Sequence, residues 1–451
     1  MSNIGLDIAA SGVNAAQTAM DTIAQNLSNT NTPGYVSETA NLTALSSGEQ
    51  SGVGGGVAVA SVTQNNDSLL AANVAQTSAA LAQSTALQQT LQQAQLAFGN
   101  PSSSTGLGAD LSSFWKSWNQ LSTNPTSQAD LQAVVDSAQT VVTDLSQASG
   151  QITAAYDNAS SQLTNTVGQA NTLLSQVASL NNQIIKQGAT GTSVSALSDQ
   201  QNQLLTQLAS DIGATWTASP NGSVNVAVGG VTLVQGNWSD TLAVNNTGTA
   251  STPNLQVVAQ STNAVLNASS GTAAGLLAAA NIYLSPSTSQ STSTSQPQPF
   301  QSLLNTVASN LANLVNGALP TSVPLFQTPT PGSYTASNIT VAPTFAANSS
   351  LIPNLGSTAQ TLAGLYNSSG GPDAAWQAAV VNVGSQVSQV NNQVQSQTAT
   401  ANAAQQNLQS VSGVNQNTAL VELMNFQSTY QAAAKVITTV DTALQSLLAA
   451  V

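Results

Sequence analysis

Apolar residues near the N-terminus recur at alternating steps of three and four: Leu6, Ala9, Val13, Ala16, Met20, Ile23 and Leu27. That is the a/d spacing of a helix that packs along another helix. The far end repeats it with Leu423, Phe426, Tyr430, Ala433, Ile437, Val440, Leu444, Leu447 and Val451. At ~1.5 Å rise per residue the two helices would be roughly 35 and 45 Å long. Each has a narrow apolar stripe that it cannot bury alone. The spacing therefore predicts that the two ends pair with each other, or with the same ends of neighbouring copies.

Weaker stripes run between the ends. Leu70, Val74, Thr77, Leu81, Ser84, Gln88, Leu91, Gln95 and Phe98 predict one long helix. Asn124-Pro125 stops a helix and lets Ser127 cap the next, which runs through Leu173, Val177, Leu180 and Ile184 with a break near Ser149-Gly150. A third long helix spans Val380 to Val411. After Gly213 the pattern shortens: 215–217, 224–228, 231–234, 242–244 and 255–259 are β-prone runs, the first three separated by Asn221-Gly222 and Gly229-Gly230 turns. Ser285 to Pro299 is a Ser/Thr/Pro/Gln loop or linker, and helical periodicity returns over 303–314. The predicted class is mainly α: paired terminal helices as a coiled coil, an elongated helical-bundle middle domain and a small inserted β domain. The expected division is 1–45 with 412–451, 46–213 with 300–411, and 214–299.

Composition narrows the chemistry. Only 4% of residues are charged, against roughly 25% in an ordinary soluble chain. Three lysines, no arginine and sixteen acids leave a net charge of −13. Nucleic acid and anionic membrane are poor partners for such a surface, since both are bound through Lys and Arg. Without cysteine or histidine there is no thiolate chemistry, and the commonest metal ligand and general base are missing. No cofactor, metal or catalytic residue is expected. Asp130, Asp136, Asp144 and Asp157 read as charges that keep a sparse helix soluble. With so few groups to ionise, stability is expected to change little between neutral pH and about 5. Gly52 to Gly56 lacks the spacing of a phosphate loop and reads as a flexible connector. Phe114, Trp115 and Trp118 share a helix face and read as core, as does Trp376. No basic n-region or apolar h-region opens the chain, so export would need a route without a cleaved signal.

One string is more specific. Asn26-Leu27-Ser28-Asn29-Thr30-Asn31-Thr32-Pro33-Gly34-Tyr35 is physically a helix stop: an Asn-rich cap, a Pro-Gly turn, then an aromatic able to pack back. The whole string resembles the motif that closes the N-terminal coiled coil of the bacterial flagellar rod, hook and hook-associated axial proteins. Similar stretches lie at 52–59 (there leading into the first long helix), 111–127, 197–205 and 412–437. They favour the hook-associated members, because hook and rod subunits resemble mostly β proteins between their ends. Where the family usually carries Arg after Gly-Tyr, this chain has Val36-Ser37. Gln416-Asn417-Thr418 stands where acids are usual, and an Arg is usual near Asp130.

The resemblance implies an exported structural subunit at the junction between hook and filament. Its assembly seams would be Leu6, Val13, Met20, Ile23 and Leu27 at one end, with Leu423, Phe426, Tyr430, Ile437, Val440, Leu444 and Leu447 at the other. The motif turn would be Asn26, Asn29, Thr32, Pro33, Gly34 and Tyr35. Implied partners are further copies in a ring, the hook protein, a second junction protein, and an export chaperone on the C-terminal helix. A hook or distal-rod subunit is the alternative within the class, and a Ser/Thr-rich adhesin working through the β insert is the alternative outside it.

Overall fold

The computed structural model describes residues 2–32, 34–46, 54–99, 105–190, 193–249, 252–285, 297–329, 332–347, 355–366 and 368–449. Pro33, Gly52, Val53, Val451 and most of the expected linker lie outside them, and of Leu447 only the backbone is described. The fold is mainly α, with long helices at both ends, a helical middle and small sheets, as the periodicity predicts.

Helix α1 (Ser2–Ser28) is followed by an antiparallel hairpin, β1 (Glu38–Ala44) and β2 (Val57–Gln64). Four helices come next: α2 (Ser68–Gln95), α3 (Leu107–Thr123), α4 (Gln128–Ala189) and α5 (Ser195–Ile212). Strands β3 (Thr215–Ala218), β4 (Val224–Val228), β5 (Val231–Gln235) and β6 (Trp238–Ser239) form one antiparallel sheet. A second contains β7 (Leu242–Asn246), β8 (Leu255–Ala259) and β9 (Ala264–Val265). Then follow α6 (Gly271–Ala278), α7 (Phe300–Ala318) and a minimal hairpin of β10 (Phe326–Gln327) and β11 (Thr340–Val341). The chain closes with α8 (Pro343–Ala347), α9 (Leu355–Ala363), α10 (Pro372–Ser412) and α11 (Gln416–Ala449).

Helix α4, 62 residues and about 90 Å long, is the spine. Ser127 caps it as expected, its Oγ accepting the Asp130 amide at 3.2 Å. The break expected near Ser149-Gly150 does not occur. Leu145, Ala148, Ile152 and Ala155 carry the buried stripe straight across, and a helical glycine costs only about 1 kcal/mol against that packing. Ser149 instead faces inward and accepts a hydrogen bond from Gln301 Nε2 at 2.9 Å.

Two cores sit end to end along this spine. The first half of α4 packs with α3, α7, α9 and α10 around Phe114, Trp115 and Trp118, all buried. Trp376 stacks on Phe98 there, ring centroids 5.7 Å apart. The second half packs Leu163, Leu174 and Val177 against Leu205 and Leu208 of α5, Val226 and Val257 of the two sheets, and Leu276 of α6. Helix α6 also crosses α2, and the crossing is close. A Cβ on Gly275 would land on the Gln83 carbonyl oxygen, so a bare backbone is required there.

Outside these two cores α1 packs along α11, and the β1–β2 hairpin lies across α1. The sequence reading does not foresee this hairpin: Gly54 to Gly56 lead into β2, and β2 leads into α2.

Candidate assembly interface

On α11 the predicted seam is the half-covered stripe. Leu423, Phe426, Ala433, Ile437, Val440 and Leu444 are half-buried, whereas Tyr430 is 36% exposed at the margin. Among the described side chains of this helix only Ala419 is buried. Leu420, Val421, Met424 and Val436 are exposed beside the stripe. One copy of the chain thus leaves much of the apolar surface of α11 in water, where each Å² is worth roughly 25 cal/mol on burial.

Helix α1 is better covered, and for a reason the a/d pattern does not contain. Of the predicted line Ile23 is buried, while Leu6, Val13, Met20 and Leu27 are half-buried. A second line of Ile8, Ser11, Ala15, Ala19, Thr22 and Asn26 also follows three-four spacing, and its last four members are buried. That line meets the hairpin: Ser11 Oγ accepts the Val57 amide at 3.2 Å, and Asn26 binds Glu38. On the α11 side, Gly12 faces Ala433, and a Cβ there would meet it at an ordinary contact distance of 3.6 Å.

The motif turn is a chain of small hydrogen-bonded steps. Asn29 caps α1, its backbone N–H and its Nδ2 both donating to the Gln25 carbonyl. Thr32 closes the next step, donating its N–H to the Asn29 carbonyl at 2.9 Å and its hydroxyl to Asn29 Oδ1 at 3.1 Å. Gly34 has a positive φ of 77°, and a Cβ there would collide with Gln203 of α5. Both facts call for glycine. Tyr35 then folds back, and its hydroxyl donates to Asn26 Oδ1 at 2.8 Å. Asn26 Nδ2 donates to the Glu38 carbonyl at 2.7 Å, and the Glu38 amide returns a bond to Asn26 Oδ1 at 2.8 Å.

Electrostatics correct the reading of the carboxylates. Asp144 is half-buried and meets Asp110 across the α3–α4 contact. Burial first, then the hydrogen bond and charge of Asp110, push its pKa up to about 6. Asp199 on α5 is also raised to about 6, by burial and by Glu38, against hydrogen bonds from Gln64 and the Val36 amide that lower it. Two carboxyls therefore titrate in the window expected to be silent, and Asp144 is no freely solvated charge. Beside Asp199, Tyr35 is pushed up to about 12 by burial, Glu38 and Asp199. Among the described residues no group of three or more Asp and Glu side chains is placed to hold a metal ion. No helix of the described residues is long and apolar enough to cross a membrane.

Paired terminal helices, the first closed by this turn, define the class to which known proteins can be compared. Residues 6–35 match a family model described as flagella basal body rod protein. Residues 404–450 match the C-terminal model of the flagellar basal body rod FlgEFG proteins. The body between them is more particular: residues 91–325, a little over half the chain, match the helical domain of flagellar hook-associated protein FlgK, and the chain belongs to that family. It is 30% identical over 241 residues to flagellar hook-associated protein 1 of Salmonella typhimurium, covering 52% of this chain and 43% of the relative. The protein of that name from Bacillus subtilis is 29% identical, covering 51% and 47%. The matches thus span less than half the length of these relatives. The flagellar hook junction protein FlgK from Burkholderia pseudomallei is a solved structure with 24% identity and a TM-score of 0.47, covering 59% of this chain and 47% of that one.

Proposed function

We propose that the protein is a structural, non-catalytic subunit of the bacterial flagellum that forms the junction between hook and filament. The observation that carries this reading is the combination of a hook-associated helical domain at 91–325 with a terminal helix whose apolar stripe is only half covered. In the assembled organelle copies form a ring, and neighbouring α1 and α11 helices complete the burial that one chain leaves unfinished. The seams are those named above: Leu6, Val13, Met20, Ile23 and Leu27 with Leu423, Phe426, Tyr430, Ile437, Val440, Leu444 and Leu447. The body at 46–213 and 300–411 then adapts the lattice of the hook to that of the filament. Its neighbours are the hook protein on one side and a second junction protein on the other. Before assembly an export chaperone covers α11, and the chain leaves the cell through the flagellar export route. The rod-type matches at both ends would suit a hook or distal-rod subunit equally, but the long helical body favours the junction.

A deletion strain tests this. Loss of the gene should leave complete hooks without filaments, with flagellin shed into the medium. Complementation with Ile437→Asp plus Val440→Asp should fail although the protein is exported. Absence of hooks in the deletion strain would move the assignment to the rod or hook. Normal filaments from the double variant would remove the seam from the mechanism.

A further inference from the structure

The terminal unit of α1, β1, β2 and α11 is almost self-contained. Among the described elements, none of these four packs along a helix or strand of the body. A groove of about 1310 Å³ opens between the motif turn, α5 and the α10–α11 joint, lined by amide and hydroxyl groups such as Asn31, Asn202, Thr206 and Gln409. Among the described residues, hydrogen bonds bridge the two parts at a small number of places. The Ser37 amide donates to the Ser412 carbonyl at 2.9 Å. Others gather at the start of α5. Gln64 Nε2, at the end of β2, donates to Asp199 Oδ1 at 2.8 Å and to the Ser195 carbonyl at 3.3 Å. The Val36 amide, just past the motif turn, lies near enough to the same carboxyl to lower its pKa.

We propose that Asp199 is an acid-tightened pin that fixes the terminal unit on the helical body when protonated and loosens it when ionised. Docking takes this carboxyl out of water and brings it beside Glu38. The titratable groups acting on it are Glu38 from β1 and Tyr35 from the motif turn, with no lysine among them. In the docked arrangement an ionised Asp199 meets burial and a like charge, which together outweigh the Gln64 hydrogen bond that favours the charge, and all three are lost once the unit swings away. Its proton affinity is higher docked than undocked, so by linkage acid favours docking and neutral pH favours release. Protonation removes the charge and leaves carboxyl oxygen to accept from Gln64.

The absence of cysteine makes a distance measurement direct. Spin labels on Thr43→Cys of β1 and Gln183→Cys of α4, both exposed positions, report the terminal unit against the body in the full-length monomer. The distance distribution should narrow on going from pH 7.5 to pH 5, with a midpoint near the Asp199 pKa of about 6. Asp199→Asn keeps an acceptor without the charge and should be narrow at both values. Asp199→Ala should be broad at both. Glu38→Gln, whose clasp to Asn26 uses only backbone atoms, should lower the midpoint. A native distribution that ignores pH would overturn the proposal, and so would an Asp199→Ala chain as narrow as Asp199→Asn. A label pair confined to α4 and α10 should stay constant throughout; if it broadens in parallel, the body itself is loosening and the pin is not the cause.

Discussion

Asn181 and Val224 are joined twice: Nδ2 of the helix side chain donates to the Val224 carbonyl at 2.9 Å, and the Val224 amide donates to Asn181 Oδ1 at 2.8 Å. The same clasp joins Asn26 to Glu38, Asn171 to Leu242, Asn281 to Leu255 and Asn316 to Phe326. In every case the second residue is the first of a strand. A carboxamide presents one donor and one acceptor side by side, which matches the N–H and C=O of a single extended residue. In a chain with so few charges, these amides fasten the helical framework to its strands.

The clasp at the motif turn can be broken singly. Asn26→Ala would leave the Glu38 amide, the Glu38 carbonyl and the Tyr35 hydroxyl without this partner at a site only 8% exposed. Each unsatisfied buried group costs about 1–3 kcal/mol, partly recovered by water at the turn. Hydrogen exchange should show the hairpin, with the Glu38 amide first, losing protection while α3 and α4 keep theirs. Asn26→Asp restores the acceptor but sets a second oxygen against the Glu38 carbonyl, and should recover little.

Acid should stabilise the body through Asp144. Its folded pKa of about 6 lies above the ordinary carboxyl value, so the folded state binds this proton more tightly than the unfolded chain. The resulting stability is fully present below about pH 4 and is lost as pH rises through about 6. After discounting for solvent around this half-buried group, the difference amounts to about 1 kcal/mol. Melting should therefore occur a few degrees higher at pH 5 than at pH 7.5. Asp144→Asn should raise the pH 7.5 value and flatten the dependence on this side of the molecule. Equal melting temperatures for native protein at both values would contradict the pairing with Asp110.

Gly275→Ala tests the crossing of α6 over α2. The added methyl would meet the Gln83 carbonyl oxygen, which belongs to helix backbone and cannot turn aside. The two helices must separate, at a cost of about 1–3 kcal/mol. Gly317→Ala on α7 faces open space and should be neutral or slightly stabilising through helix propensity. A thermal melt of the two variants side by side distinguishes crowding from a general intolerance of alanine.

What the sequence made legible follows from period and capping. The stripe at Leu423 to Leu444, the cap at Ser127 and the turns at Asn221-Gly222 and Gly229-Gly230 are local signals, and each appears where local physics puts it. The β1–β2 hairpin was hidden because its strands, rich in Thr, Asn, Ser and Ala, lie largely exposed and show no clear in–out alternation. Its presence also explains why Ala15, Thr22 and Asn26 are buried outside the a/d line. Asp144 gave no sign because its partner Asp110 is on another helix. Likewise an asparagine that clasps a strand start is indistinguishable in sequence from one that faces water.

The last prediction concerns α11 before assembly. A helix keeps its amides protected when opening it exposes much buried apolar surface. Here one described side chain is buried, the seam is half covered, and Leu420, Val421, Met424 and Val436 are already in water. Opening α11 therefore forfeits little, whereas opening α4 exposes two cores. In dilute monomer the amides of 423–447 should exchange far faster than those of 131–184, with α1 intermediate because the hairpin covers its second line. If copies assemble as proposed, the order should invert for α11, because a neighbouring copy would then cover the stripe. Strong protection of 423–447 in dilute monomer would mean that α1 alone satisfies the helix, and that burial between copies is not what holds the organelle's junction together.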